Sequence, residues 1–298
     1  LPDLRQARQA QHHLGQGLLS RTAYNTIYGR KQYFLWNILG KILFFLWKMD
    51  KIQKNDYGSL CTEMYEILHE KAPEKELAFY LSYAEKGQRI LEPMCGSGRF
   101  LIPFSEKGFD ISGMDRSGEM LERCRQKLPG AKLVQADLET YRPQEKFDYI
   151  FVTSGSMSLF TDFSTCERAL QQIRNLLAPG GKFVFSAETM AARCPDDEEE
   201  TISAQVKTSK GFDLILKTKN AYDEKSGTQF SPGNYELYDK GRLIRREFMD
   251  FQTHLYRLGE MEQLLTRVGF QEIKVYSDFD KEIARDDQSE MFLYECTL

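Results

Sequence analysis

Apolar positions along the chain fall into two regimes. From about residue 59, GSLCTEMYEILHEK and PEKELAFYLSYAEK place apolar residues three and four apart and predict two helices. Short β-rich runs follow, each trailed by a helical stretch. The strands are RILEPM (89–94), DISGMD (110–115), AKLVQAD (131–137), FDYIFVTS (147–154) and GKFVFSAE (181–188), with helices over Arg99–Lys107, Gly118–Lys127 and Ser164–Leu177. Strands alternating with helices imply right-handed crossovers and a parallel sheet covered on both faces. Such a sheet binds its ligand at the carboxyl ends of its strands, where the strand order reverses.

After Glu188 the pattern changes. The acidic run DDEEE (196–200), read as a solvated loop, precedes alternating segments TISAQVKT, FDLILKTKNAYD and YELYDKGRLIRREFMDFQTHLY, with Lys240-Gly241 at a hairpin turn. These predict antiparallel strands. A last helix over Leu258–Val268, stopped by Gly269, precedes QEIKVYSDFD and SEMFLYECTL, which return to the sheet. The expected fold is α/β: a doubly wound, mostly parallel seven-stranded sheet with an antiparallel β insertion after strand five, over 195–256.

The most apolar stretch, Tyr33–Met49, has basic flanks and one internal charge, Lys41. Seventeen residues are at the short limit for spanning a bilayer, and the lysine adds a cost. No small-residue cleavage site follows, so a signal peptide is not expected. Two readings stay open for residues 1–48. One is a membrane-surface helix, with membrane contact only through 33–49. The other is translated upstream sequence ahead of a start at Met49, the first methionine, which would leave 1–48 outside the native fold.

Charge sharpens the division. Residues 1–48 carry seven basic side chains and one acidic one, leaving 33 basic against 43 acidic residues in 49–298. An acidic body repels polyanions, so nucleic acid is not an expected partner and a small neutral or cationic substrate is favoured. Six scattered cysteines without a CxxC pair fit reduced thiols in a cytoplasmic protein, with no metal site expected. Nothing in the pattern sets an oligomeric state.

The segment Ile90-Leu-Glu92-Pro-Met94-Cys95-Gly96-Ser-Gly98-Arg99 runs from a strand through a tight turn into a helix. Gly96 and Gly98 would let the backbone approach a ligand closely. Asp115 ends the second strand and Asp137 the third. Glu92, Asp115 and Asp137 lie 23 and 22 residues apart, about one βα unit each, which sets three acids at one sheet edge. A carboxylate after the second strand suits ribose hydroxyls, and one after the third suits the amine of adenine. An acid before a glycine turn suits a cationic amino-acid tail better than a pyrophosphate.

These motifs resemble those of class I (Rossmann-like) S-adenosylmethionine (SAM)-dependent methyltransferases, small-molecule subgroup, over roughly Met49 to Leu298. Glu92–Gly98 is similar to the first motif, with Met94 at its first glycine. Asp115-Arg116-Ser117, Ala136-Asp137-Leu138 and Leu177-Ala-Pro-Gly-Gly181 are similar to the second motif, the third motif and the loop before strand five. The resemblance implies SAM as cofactor. Glu92, Met94, Cys95, Gly96 and Gly98 would hold its methionine part, Asp115 and Arg116 the ribose, and Asp137 and Leu138 the adenine. Thr153-Ser154-Gly155-Ser156, at the end of strand four, would lie beside the methionyl part and the reacting methyl. The helix carrying Tyr65, with Tyr57 before it, and the insertion resemble the lid of this subgroup.

Methyl transfer to a small molecule is the implied reaction, N-methylation ahead of O-methylation. A general base is needed only if the nucleophile arrives protonated. The candidates are His254 and Tyr256, with Tyr222, Tyr235 or Arg245 shaping the acceptor pocket and Glu188 orienting an amine. A nucleotide-dependent oxidoreductase, disfavoured by the missing third glycine, and a non-catalytic, SAM-binding or membrane-attached regulator remain as alternatives.

Overall fold

The computed structural model describes Asn55 and residues 57–298. The expectations for residues 1–48 and the apolar segment 33–49 lie outside the described residues. Among these, no helix is long and apolar enough to cross a membrane.

Two helices, α1 (Ser59–Leu68) and α2 (Glu74–Leu81), precede the sheet. Its strands are β1 (Arg89–Pro93), β2 (Asp110–Asp115), β3 (Lys132–Gln135), β4 (Phe147–Val152) and β5 (Leu177–Glu188), with α3 (Leu101–Glu106), α4 (Gly118–Lys127) and α5 (Phe163–Leu176) between them. After the insertion come α6 (Glu260–Val268), β13 (Gln271–Tyr276) and β14 (Met291–Thr297), giving the sheet order β13-β14-β5-β4-β1-β2-β3. Strands β1 to β5 pair in parallel, and β14 runs antiparallel between β5 and β13. The order reverses between β1 and β4, which places the switch point at their carboxyl ends.

The period of two along each strand sorts side chains onto two faces. Leu91, Ile150, Val152, Phe183 and Phe185 join one buried cluster, shared with Leu170 and Ile173 of α5 and Leu264 and Leu265 of α6. Ile90, Tyr149, Phe151 and Val184 join the other, with Phe79 and Tyr80 of α2, Phe104 of α3 and Leu121 of α4. A strand buried on both faces reads as a continuous apolar run, and Tyr149–Val152 of β4 does.

The insertion forms two small antiparallel sheets. One has the order β11-β10-β7-β6, from β6 (Thr201–Lys207), β7 (Asp213–Thr218), β10 (Gly233–Asp239) and β11 (Arg242–Met249). The other has the order β12-β9-β8, from β8 (Ala221–Asp223), β9 (Thr228–Phe230) and β12 (Gln252–His254). Lys240 and Gly241, with φ of 48° and 80°, form the β10–β11 hairpin turn, as their positive φ requires.

Three details differ from the sequence pattern. FDLILKTKNAYD is not one strand. It breaks at Asn220, whose backbone and side-chain amides both donate to Asp197 at 2.8 Å. Asp197 and Asp196, which accepts from the Tyr222 amide at 3.0 Å, therefore pin this junction, and the acidic run is not simply a solvated loop. Strand β5 begins at Leu177 rather than Gly181; the Pro-Gly-Gly segment is a kink inside it, with Gly180 at φ 74°. On its side facing β10 and β7, α1 packs Leu60, Cys61 and Met64 against Leu214, Tyr235 and Met249.

Candidate active site

A cleft of about 570 Å³ opens at the switch point, within the roughly 300–1,000 Å³ span of small-molecule sites. Met94 and Gly96 form its β1 wall, Asp115, Arg116 and Met120 its β2 wall, and Ala136, Asp137 and Leu138 its β3 wall. Ser154 and Ser156 line it beyond β4, Phe160 and Asp162 beyond the following turn, and Tyr57 and Tyr65 from the α1 segment. Four carboxylates (Asp115, Asp137, Glu139 and Asp162) against the Arg116 guanidinium make it a site for a ligand carrying positive charge.

The glycine turn is held by the acid across from it. Asp115 Oδ2 accepts from the Gly96 amide and Oδ1 from the Ser117 amide, each at 2.8 Å. Burial lifts the Asp115 carboxyl above its ordinary range, while those two amides and the Arg116 charge oppose the lift. Each carboxylate oxygen keeps a further lone pair.

Met94 sits at φ 58°, the left-handed region that favours glycine. Exchanging its side chain for alanine or glycine isolates that strain, since both variants lose the same packing beyond Cβ. Met94→Gly is expected to be more stable than Met94→Ala by about 1 kcal/mol in chemical denaturation.

Beneath the turn lies a buried polar group of the kind a ligand completes. Glu92 is 2% exposed, and burial pushes its carboxyl well above the usual range against the opposing Arg99 charge and Leu101 amide. Glu92 Oε2, Ser97 Oγ and Arg99 Nε are buried and make no hydrogen bond among the described residues. Arg99 donates to Ser154 Oγ, and Glu76 Oε1 accepts from the Ser154 amide at 2.9 Å. Such orphaned atoms are rare in native interiors and call for a partner.

The expected site residues do not all meet here. Met94, Gly96, Asp115, Arg116, Asp137 and Leu138 line the cleft, and Glu92 lies under it. Cys95 turns its side chain into the core on the α3–α4 side, and Thr153 is buried, with its carbonyl accepting from the Ser156 amide at 3.0 Å. A Cβ on Gly98 (φ 83°) would meet Cys124 Sγ at 2.4 Å, so this glycine permits helix packing rather than ligand approach.

His254 and Tyr256, the expected bases, require correction. Tyr256 is fully buried, with its hydroxyl 3.5 Å from Cys166 Sγ. His254 is 3% exposed, donates from Nδ1 to the Ser226 carbonyl at 3.1 Å, and packs edge-on against Phe163. Neither lines the cleft, nor do Tyr222, Tyr235 or Arg245, so none of them faces a ligand held there. Tyr235 and Tyr256 are taken up in packing, Arg245 points to solvent, and Tyr222 lies with His254 on a separate, smaller pocket of about 200 Å³. Ser154 and Ser156, expected beside the reacting methyl with Thr153, do line the cleft, whereas sequence reasoning missed Arg99 and Glu76. The basic residue directly after the glycine turn was the one readable signal among them.

A doubly wound sheet with an antiparallel last strand, an acid-braced glycine turn and acids after β2 and β3 define a Rossmann-like methyltransferase. Residues 90–181 match the family model described as a methyltransferase domain. The chain is 27% identical over 229 residues to the putative methyltransferase YqeM of Bacillus subtilis, covering 72% of this chain and 87% of that protein. It is 23% identical over 219 residues to a dTDP-3-amino-3,4,6-trideoxy-alpha-D-glucopyranose N,N-dimethyltransferase of Streptomyces venezuelae, covering 72% and 83%. A SAM-dependent methyltransferase structure from Clostridium acetobutylicum shares the fold, with a TM-score of 0.65 at 15% identity over 79% of this chain and 96% of that one. Residues 90–181 therefore form a SAM-dependent methyltransferase domain on a Rossmann-like sheet.

Proposed function

We propose that the chain methylates the nitrogen of a small-molecule amine. The observation that carries this reading is Glu188, at the carboxyl end of β5, next to Gly155 of the cleft wall although outside the cleft lining itself. A Cβ on Gly155, between the cleft-lining Ser154 and Ser156, would lie 3.0 Å from Glu188 Cγ. Burial pushes the Tyr57 phenol up, and the charges of Asp115 and Glu188 add to the rise. Glu188 has no lysine or arginine within ion-pair distance among the described residues. Its carboxyl is raised by burial, and a hydrogen bond from Thr253 opposes the rise. The Streptomyces venezuelae relative, an amino-sugar N,N-dimethyltransferase by name, supports the same choice.

When bound, SAM supplies a methyl group already activated on a sulfonium, so proximity and orientation are the protein's main contribution. Glu92 and the Gly96 turn would hold the amino-acid end, Asp115 and Arg116 the ribose, and Asp137 and Leu138 the adenine. Turned toward the cleft from behind Gly155, Glu188 would accept the N–H of the acceptor amine, direct its lone pair to the methyl group, and take up the proton the nitrogen sheds. A carboxyl raised toward neutrality suits that work.

Turnover of SAM with a panel of amines, phenols and carboxylic acids tests the reading. Amines are expected to be methylated, and Glu188→Gln to lower kcat/KM for the amine by about 10- to 100-fold while SAM affinity holds. Wild-type activity should fall with acidification through the raised Glu188 pKa, because the protonated carboxyl can accept no proton. Phenols turning over in place of amines, or an unimpaired Glu188→Gln enzyme, would overturn it.

A further inference from the structure

Helix α1 carries Tyr65, and the turn leading into it carries Tyr57, the two tyrosines that line the cleft from this side, yet the helix has no N-terminal cap of its own. Its N-cap is Gly58, with no side chain to accept, and its first turn holds no acid. The first amides of a helix need acceptors. Here Glu247 of β11 supplies them from 187 and 186 positions away. Its Oε1 accepts from the Leu60 and Cys61 amides, and its Oε2 from the Leu60 amide, all at 3.2 Å. The Ser59 hydroxyl adds a longer bond at 3.4 Å. A carboxylate at that end also complements the helix dipole.

The fit explains the glycine. A Cβ on Gly58 would lie 2.4 Å from Glu247 Oε1 and 2.6 Å from its Cδ. Gly58 thus admits the carboxylate that does the capping.

The same segment is tied on the opposite side to the β2 wall of the cleft. Ser117 Oγ donates to the Tyr57 carbonyl at 2.9 Å, and Lys127 pairs with Glu66 at 3.0 Å. Asn55 extends the tie toward the insertion, its amide donating to the Asp250 carbonyl at 3.1 Å. The segment therefore bridges the insertion and the parallel sheet, with Tyr57 and Tyr65 facing the cleft in between.

We infer that Glu247 is a positioning residue that latches α1 to the insertion, so that the cover of the cofactor and the acceptor-side sheet open as one body. The inference rests on the cofactor reading of the cleft. With the cap intact α1 cannot lift from the cofactor without the insertion, which places control of cofactor residence on a strand that lines no part of the cleft.

The test is a double-mutant cycle on the full chain, read by SAM dissociation rate in stopped flow and by KM and kcat. Glu247→Ala removes the carboxylate. Gly58→Ala leaves it but displaces it. Each is expected to speed SAM dissociation roughly fivefold, the equivalent of one lost cap, and to raise KM for SAM more than it lowers kcat. The double variant should be no faster than either single one, because both break the same contact. Glu247→Gln, which keeps one acceptor oxygen, should fall between wild type and alanine. A folded Glu247→Ala protein with wild-type dissociation, or single effects that multiply, overturns the latch. Absence of SAM binding by the wild type would instead sink the cofactor reading.

Discussion

Replacing Gly98 by alanine is expected to lower the stability of the protein by about 3 kcal/mol. Two costs combine. The backbone there holds φ 83°, where an L side chain costs about 1–2 kcal/mol. The new Cβ would also lie 2.4 Å from Cys124 Sγ and 3.3 Å from Ile102 Cγ1, a crowding worth about 1–3 kcal/mol in a packed interior. For a chain of this size the melting temperature should fall by roughly 6–12 °C in scanning calorimetry. Adding Cys124→Ala should recover the steric share and leave the backbone share. A Gly98→Ala protein melting within roughly 1 °C of wild type would show that the turn relaxes freely.

The second large effect belongs to Asp115. Its alanine variant should bind SAM about 10- to 100-fold more weakly by calorimetry, from the loss of charge-assisted hydrogen bonds worth about 1.5–3 kcal/mol. The asparagine variant should not rescue it. Both carboxylate oxygens already accept from backbone amides, of Gly96 and Ser117. An asparagine must turn its NH₂ toward one of them, donor against donor. A ribose contact alone would let asparagine serve; the bracing of the turn does not. An Asp115→Asn protein with wild-type affinity would therefore separate the two roles and leave only the first.

The parallel core was legible because its signals are local. Runs such as Tyr149–Val152 are apolar on both faces, Gly269 ends its helix, and Lys240-Gly241 makes a turn whose backbone demands are written in two residues. The acids at 92, 115 and 137 were legible for the same reason, since a βα unit has a nearly fixed length. The insertion was not, because its partition into two sheets depends on Asp197 reaching Asn220 across the chain. Likewise the α1 cap comes from Glu247, which no window around Gly58 contains. His254 and Tyr256 misled for a different reason. Residue type suggests chemistry, but only the packed structure shows that Tyr256 is sealed beneath α5 and that His254 faces Phe163 instead of the cleft.

Glu92 Oε2, Ser97 Oγ and Arg99 Nε, buried without hydrogen-bond partners among the described residues, couple this fold to its ligand through thermodynamic linkage. A molecule that binds only the native state at a hundredfold excess over its Kd raises stability by about 2.7 kcal/mol. On the assignments proposed above, the groups around these atoms grip an amino acid, a ribose and an adenine, all of which survive methyl transfer. S-adenosylhomocysteine should then raise the melting temperature nearly as much as SAM does. The spent cofactor would compete with the fresh one, so the pace of the enzyme would follow the ratio of the two rather than the amount of either.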